Sequence, residues 1–280
     1  MAISTFFPEL WSSRLQRHLD KALVYAQPAV VNRNYEGEIS DYGDTVHIQN
    51  IADGGVDNYS PGTDITYDTT DADIDTTLTI DQAKTWHVQV DDIHAKQSKI
   101  ELVDNTMQRR AYVLADTIDQ YIAAKASGVV SAGNEVDGGT PTSSTAYESL
   151  VDLAVQLDEQ NVPSEGRFAV IPPWFHGLLL TDDRFVGAGS AGTDATLRNG
   201  QVGTAAGFNV LKSNNVPVAT DDYSILAGSN QGITFAEQIR KVEALRHNKQ
   251  LADIVRGLVL YGSKLVNADE LAVLTVTRGS

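Results

Sequence analysis

Three groupings in this 280-residue chain have the spacing of known chemistry. Gly187, Gly189 and Gly192 spell G-x-G-x-x-G, in which glycines let backbone amides approach a pyrophosphate. Such a loop needs a strand before it and a helix after it. Here Asp182-Asp183-Arg184 precedes, and Thr193 to Gly200 follows without an apolar period, so the stretch reads as a plain glycine-rich loop. Asp71, Asp73 and Asp75 open like a calcium loop, but Thr76 stands where the turn needs glycine and Gln82 where a bidentate glutamate belongs. His87, Asp91 and His94 could be drawn as a metal set; a strand that gives way to a helix between them makes convergence accidental. No G-x-S-x-G elbow, Walker loop or H-E-x-x-H occurs. The residues point to a protein that is not an enzyme and takes no cofactor or metal.

Charge is the most uneven property. The net charge is −16, and Asn34 to Ala83 holds twelve Asp or Glu in fifty residues with no Lys or Arg. From Ala236 to Lys264 the sign reverses, with Arg240, Lys241, Arg246, Lys249, Arg256 and Lys264 against Glu237, Glu243 and Asp253. A chain this acidic is a poor glove for nucleic acid, whose binding runs on clustered cations. The acidic run is either a solvated face or a limb that reaches basic surface, in its own subunit or in a neighbour. The candidate contacts are Asp64, Asp68, Asp71, Asp73 and Asp75 on one side, and Arg109, Arg110, Arg240, Lys241, Arg246, Lys249 and Arg256 on the other. Cysteine is absent, so packing alone must hold the fold. With no basic leader and no run of eighteen apolar residues, neither a secretion signal nor a membrane span is expected.

The elements that would carry these residues follow from periodicity. Trp11, Leu15, His18, Leu19, Ala22 and Leu23, behind Pro8, predict a short amphipathic helix. Val46 and Ile48 alternate with polar neighbours, and Leu78, Ile80, Trp86, Val88 and Val90 share one parity, so two strands flank the acidic tip. A two-stranded excursion is marginal alone and needs anchoring. From about Asp92 to Ala126 the apolar steps become three and four, predicting one helix roughly 45–50 Å long, with Gly128 as its stop. Then come a loop over Ser127–Thr145, a helix through Leu150, Leu153, Ala154 and Leu157, a buried strand in Arg167–Ile171, a short helix at Trp174–Leu180, and short strands at Phe208–Leu211, Ser224–Ala227 and Ile233–Ala236. The end of the chain predicts two strands joined by a turn at Asn267–Glu270. The class is α+β.

Read in order, FFPELWSSRLQRHLDKALV, NYEGEISDYGDTVHI, LTIDQAKTWHVQVDDI, AYVLADTIDQYIA, VPSEGRFAVIPPWFHGLLLTDDRF, GFNVLKSNNVP and RGLVLYGSKLVNADELAVLTV resemble the major capsid proteins of tailed bacteriophages, with the Hong Kong 97-type fold. The resemblance spans about Phe6 to Val276 and rests on the order of many modest motifs. It implies an N-terminal arm (1–34), an extended acidic β-hairpin loop lying over the adjacent subunit (35–90), a peripheral domain with a spine helix (91–146), an axial domain (147–238) and a return to the peripheral domain (239–280). It further implies self-assembly into hexamers and pentamers of an icosahedral shell, with scaffold and portal proteins. That shell would be built in the host bacterial cytoplasm, enclosing double-stranded DNA without sequence-specific contacts and without a membrane. Two other readings compete: an encapsulin-like nanocompartment shell, and an acidic cation-binding β-rich protein.

Overall fold

The computed structural model describes residues 23–35, 43, 45–51, 73–91, 101–182, 203–246 and 252–279. The leading helix, the acidic tip and the glycine-rich loop expected from sequence lie outside these residues. Within them the chain is α+β, with three separate sheets.

Strands β1 (Thr45–Ile51) and β2 (Asp73–Thr79) form an antiparallel two-stranded arm, with Val46 opposite Leu78 and Ile48 opposite Thr76. The single strand expected through Leu78 to Val90 is corrected: the chain breaks at Ile80-Asp81, and β3 (Gln82–Asp91) joins a different sheet. The shared parity misled because its two halves serve two cores. Leu78 and Ile80 pack with Val46, Ile48, Ala236 and Leu260, whereas Trp86 and Val88 face the main core.

Helix α1 (Glu101–Ala123) is about 35 Å long, with residues 92–100 of the expected helix outside the described set. Ala111, Leu114, Ala115, Ile118 and Ile122 recur at helical spacing and are buried, while Arg109, Tyr112, Val113 and Gln120 face out. Gly128 does not stop a helix: it lies inside α2 (Ala126–Ser131), where an added Cβ would stand 3.1 Å from the Leu265 side chain. Close packing, not a cap, explains that glycine. The expected loop over 127–145 likewise holds α2 and strand β4 (Glu135–Gly139).

The second sheet is seven-stranded and mixed. It contains β4, β5 (Phe168–Ile171), β6 (Thr204–Ala205), β7 (Phe208–Lys212), β8 (Val218–Ala219), β9 (Asp222–Gly228) and β12 (Leu271–Thr277). All four β5 residues are buried, as a continuous apolar run predicts for a central strand. Helix α3 (Ala146–Glu159) lays Leu150, Leu153 and Leu157 into the core and ends where Asn161 takes φ 59°, a left-handed residue that halts helix propagation. Helix α4 (Pro173–Leu180) starts on a proline, whose fixed φ suits a first turn.

The third sheet, ordered β10-β11-β3, joins β3 to a ribbon of β10 (Ile233–Arg246) and β11 (Ala252–Leu265). The short strand expected at Ile233–Ala236 is therefore a fourteen-residue strand. Its apolar alternation steps by three between Ile239 and Val242, and there the register slips: Ile239 faces Val259, Lys241 faces Leu258, and Arg240 is left over as a β-bulge. The turn at 267–270 does join two strands, but β11 and β12 belong to different sheets.

Candidate inter-subunit surface

The arm is held at its root by three features. Ile80 and Leu78 are fully buried against Ala236 and Leu260. Gly262 on β11 lets the arm backbone approach so closely that a Cβ there would stand 2.4 Å from the Thr79 carbonyl oxygen. The Tyr121 hydroxyl of α1 donates a 2.7 Å hydrogen bond to Asp81 Oδ1 at the turn into β3, and accepts from the Ser263 N–H at 3.4 Å. Burial first, then the Asp81 hydrogen bond, pushes the Tyr121 phenol up to about 12. It stays a donor throughout the physiological range.

Residues 23–35 form a strap across the same region. Asn32 donates its N–H to the Ile233 carbonyl (2.8 Å) and accepts from the Phe235 N–H (2.9 Å), pairing the strap with the start of β10. Arg33 donates to Glu237 Oε1 at 2.7 Å and to the Ala26 carbonyl at 3.1 Å, with its guanidinium over the Phe235 ring. Tyr35 packs against the arm-root cluster.

The residues singled out from sequence are placed as follows. Asp73 and Asp75 stand on β2, opposite Ile51 and Gln49; Asp64, Asp68, Asp71 and Lys249 lie outside the described residues. Arg109 and Arg110 are exposed on α1, and neither has an ion-pair partner among the described residues. Arg240 is the bulged residue and Lys241 its neighbour on β10. Arg246 is exposed opposite Asp253 and already engaged within the chain. Arg256 Nη2 donates to Glu243 Oε2 at 2.7 Å and Nε to the same oxygen at 2.9 Å. The fold thus gathers Arg240, Lys241, Arg246 and Arg256 on one ribbon, and Arg109 and Arg110 on a separate helix face.

Sequence reasoning passed over Asp81, Asp119, Tyr121, Arg33 and Gly262. Asp119 had a readable signal, since a carboxylate between Ala115 and Ile122 interrupts the apolar stripe of α1. Among the described residues no group of His, Asp or Glu could hold a metal, and no helix is long and apolar enough to cross a membrane.

The sequence profile of the phage capsid protein family matches residues 88–273. A solved chain from Mycobacterium phage Che8 is 30% identical, over 90% of each chain, with a TM-score of 0.73. The chain belongs to the phage capsid protein family. It is a structural shell protein of the tailed-phage major capsid type, with the Hong Kong 97-like fold. The capsid chain of cyanophage P-SCSP1u is 18% identical over 92% of this chain and 89% of that one, with a TM-score of 0.71, and shows the same fold. An encapsulin of Synechococcus elongatus PCC 7942 shares it more distantly, at 14% identity, 86% coverage of each chain and a TM-score of 0.54. No curated protein sequence matches.

Proposed function

We propose that this capsid protein assembles through its acidic arm, which lies over a neighbouring copy and is received there by exposed arginines. The observation that carries this reading is the anchored arm itself: a buried root, twelve acidic residues across 34–83, and no Lys or Arg within that segment. On another copy, Arg109 and Arg110 present cations that their own chain leaves unpaired among its described residues. Complementary charge fixes register and speeds encounter between copies. The repeated copies form hexamers and pentamers of an icosahedral virion shell, with scaffold and portal proteins completing assembly in the host cytoplasm and double-stranded DNA inside. The net charge of −16 suits a container that must not grip phosphate. The parts implied by the family, from arm (1–34) and loop (35–90) through peripheral (91–146, 239–280) and axial (147–238) regions, serve this plan.

The test is reversal of Asp71, Asp73 and Asp75 to lysine. Shell yield by electron microscopy and light scattering should fall sharply while subunit melting stays near wild type. Adding Arg109→Glu and Arg110→Glu should restore part of the yield. Normal shells from the lysine variant would overturn the arm reading.

A further inference from the structure

The strap meets helix α1 at one buried carboxylate. Asp119 is 2% exposed, and it accepts the N–H groups of three successive strap residues: Val24 on Oδ2 at 2.8 Å, and Tyr25 and Ala26 on Oδ1 at 3.0 and 3.3 Å. Residues 1–22 enter the described fold at this point. The flanking side chains are well buried, with Leu23, Tyr25 and Ala26 at 1% exposure or less.

No Lys or Arg among the described residues pairs with Asp119. The groups that face it are unhelpful to a negative charge. Asp116, one turn earlier on α1, adds repulsion; Tyr25 on the strap buries a hydroxyl that has no partner among the described residues. The nearest strap cation, Arg33, is committed to Glu237 of β10 and to the Ala26 carbonyl. Burial without a counter-ion favours taking up a proton, while the three amide hydrogen bonds favour the charged form.

We propose that Asp119 and the Val24–Ala26 turn form a proton-sensitive latch, which sets how firmly the strap is held on helix α1. Burial outweighs the three amide hydrogen bonds and, with Asp116, raises the Asp119 carboxyl from 3.8 to about 6. The sign follows. The docked strap binds the proton more tightly than a released, solvated one. Docking is therefore favoured below about pH 4, and that preference is lost as pH rises through 6. Over the whole range the docking constant changes roughly 100-fold, the ratio that a shift of about two units implies. The latch does not depend on the arm reading, because it acts within one chain.

Amide hydrogen exchange on the purified full-length chain tests it, with peptides covering 23–31 followed from pH 4 to 8 and corrected for intrinsic exchange. In the wild type, protection should fall from about pH 4 and level off above about pH 6. In Asp119→Asn the pH step should vanish, with low protection throughout, because the Asn amide nitrogen points a donor at the Val24 N–H. Tyr25→Phe, which removes a hydroxyl without a partner among the described residues, should keep the step. A flat wild-type profile, or a step that persists in Asp119→Asn, overturns the proposal. The wild-type profile needs no variant to fold.

Discussion

Replacing Gly262 by alanine probes the joint between arm and body with one methyl group. The new Cβ would lie 2.4 Å from the Thr79 carbonyl oxygen and 3.1 Å from Ile80 Cα, whereas ordinary contact begins near 3.4 Å. Two of the three nearest atoms are backbone, so no side-chain rotation relieves the clash. The arm root must lift by about 1 Å, opening the seam between Ile80 and Leu260. Overpacking of this kind costs about 1–3 kcal/mol, and for a chain near this size each kcal/mol lowers Tm by about 2–4 °C. The larger consequence is directional. Strand β2 carries the arm roughly 20 Å beyond the joint, so a tilt at the root moves the acidic residues away from the neighbouring arginines proposed to receive them. Differential scanning calorimetry of the subunit and electron microscopy of assembly products are the paired assays. A modest loss of Tm with a severe loss of regular shells is expected. Wild-type melting and wild-type shells from Gly262→Ala would show that the seat at Gly262 does not set the arm, and the reasoning would fail.

Two further substitutions separate strap from scaffold. Arg33→Met removes the cation from Glu237, whose side chain is only 9% exposed, and should destabilise by about 2–4 kcal/mol in urea unfolding, with Glu237→Gln in the same background recovering part of the loss. Gly177 on the exposed side of α4 has open space where a Cβ would go, so Gly177→Ala should raise stability by about 0.5–1 kcal/mol and leave assembly unchanged.

Much of this architecture is local in origin and so could be read from the chain. The apolar period of α1, the four buried residues of β5, and the start and stop of α4 are set within a few residues of themselves. The bulge at Arg240 was also written there, as the three-residue step from Ile239 to Val242, though it was not read as one. What could not be read is which sheet each strand joins. Strand β11 takes partners from β10 and from β3, more than 160 residues earlier, while its sequence neighbour β12 pairs with β4 and β9. Nothing in a strand's own alternation names a distant partner. The same limit hid the arm root, because the Tyr121–Asp81 bond joins residues 40 apart in the chain and the Gly262 seat joins β11 to Thr79.

The one-sided charge of the arm has a second consequence in the proposed shell. A two-stranded hairpin has two free edges, and free edges invite pairing with any like strand. Copies of the same chain offer such strands at high local concentration during assembly. Twelve acidic residues without a Lys or Arg make one arm repel another, so the wrong contact is penalised by the same charges proposed to favour the right one. A mixed-charge arm of equal net attraction to the arginines would lack that penalty. Screening limits its reach to about 8 Å at physiological salt, which is the range at which neighbouring arms would begin to pair. In the proposed assembly, selection of partner belongs to the charge pattern, and placement of the arm to the apolar seat at Ile80 and Gly262.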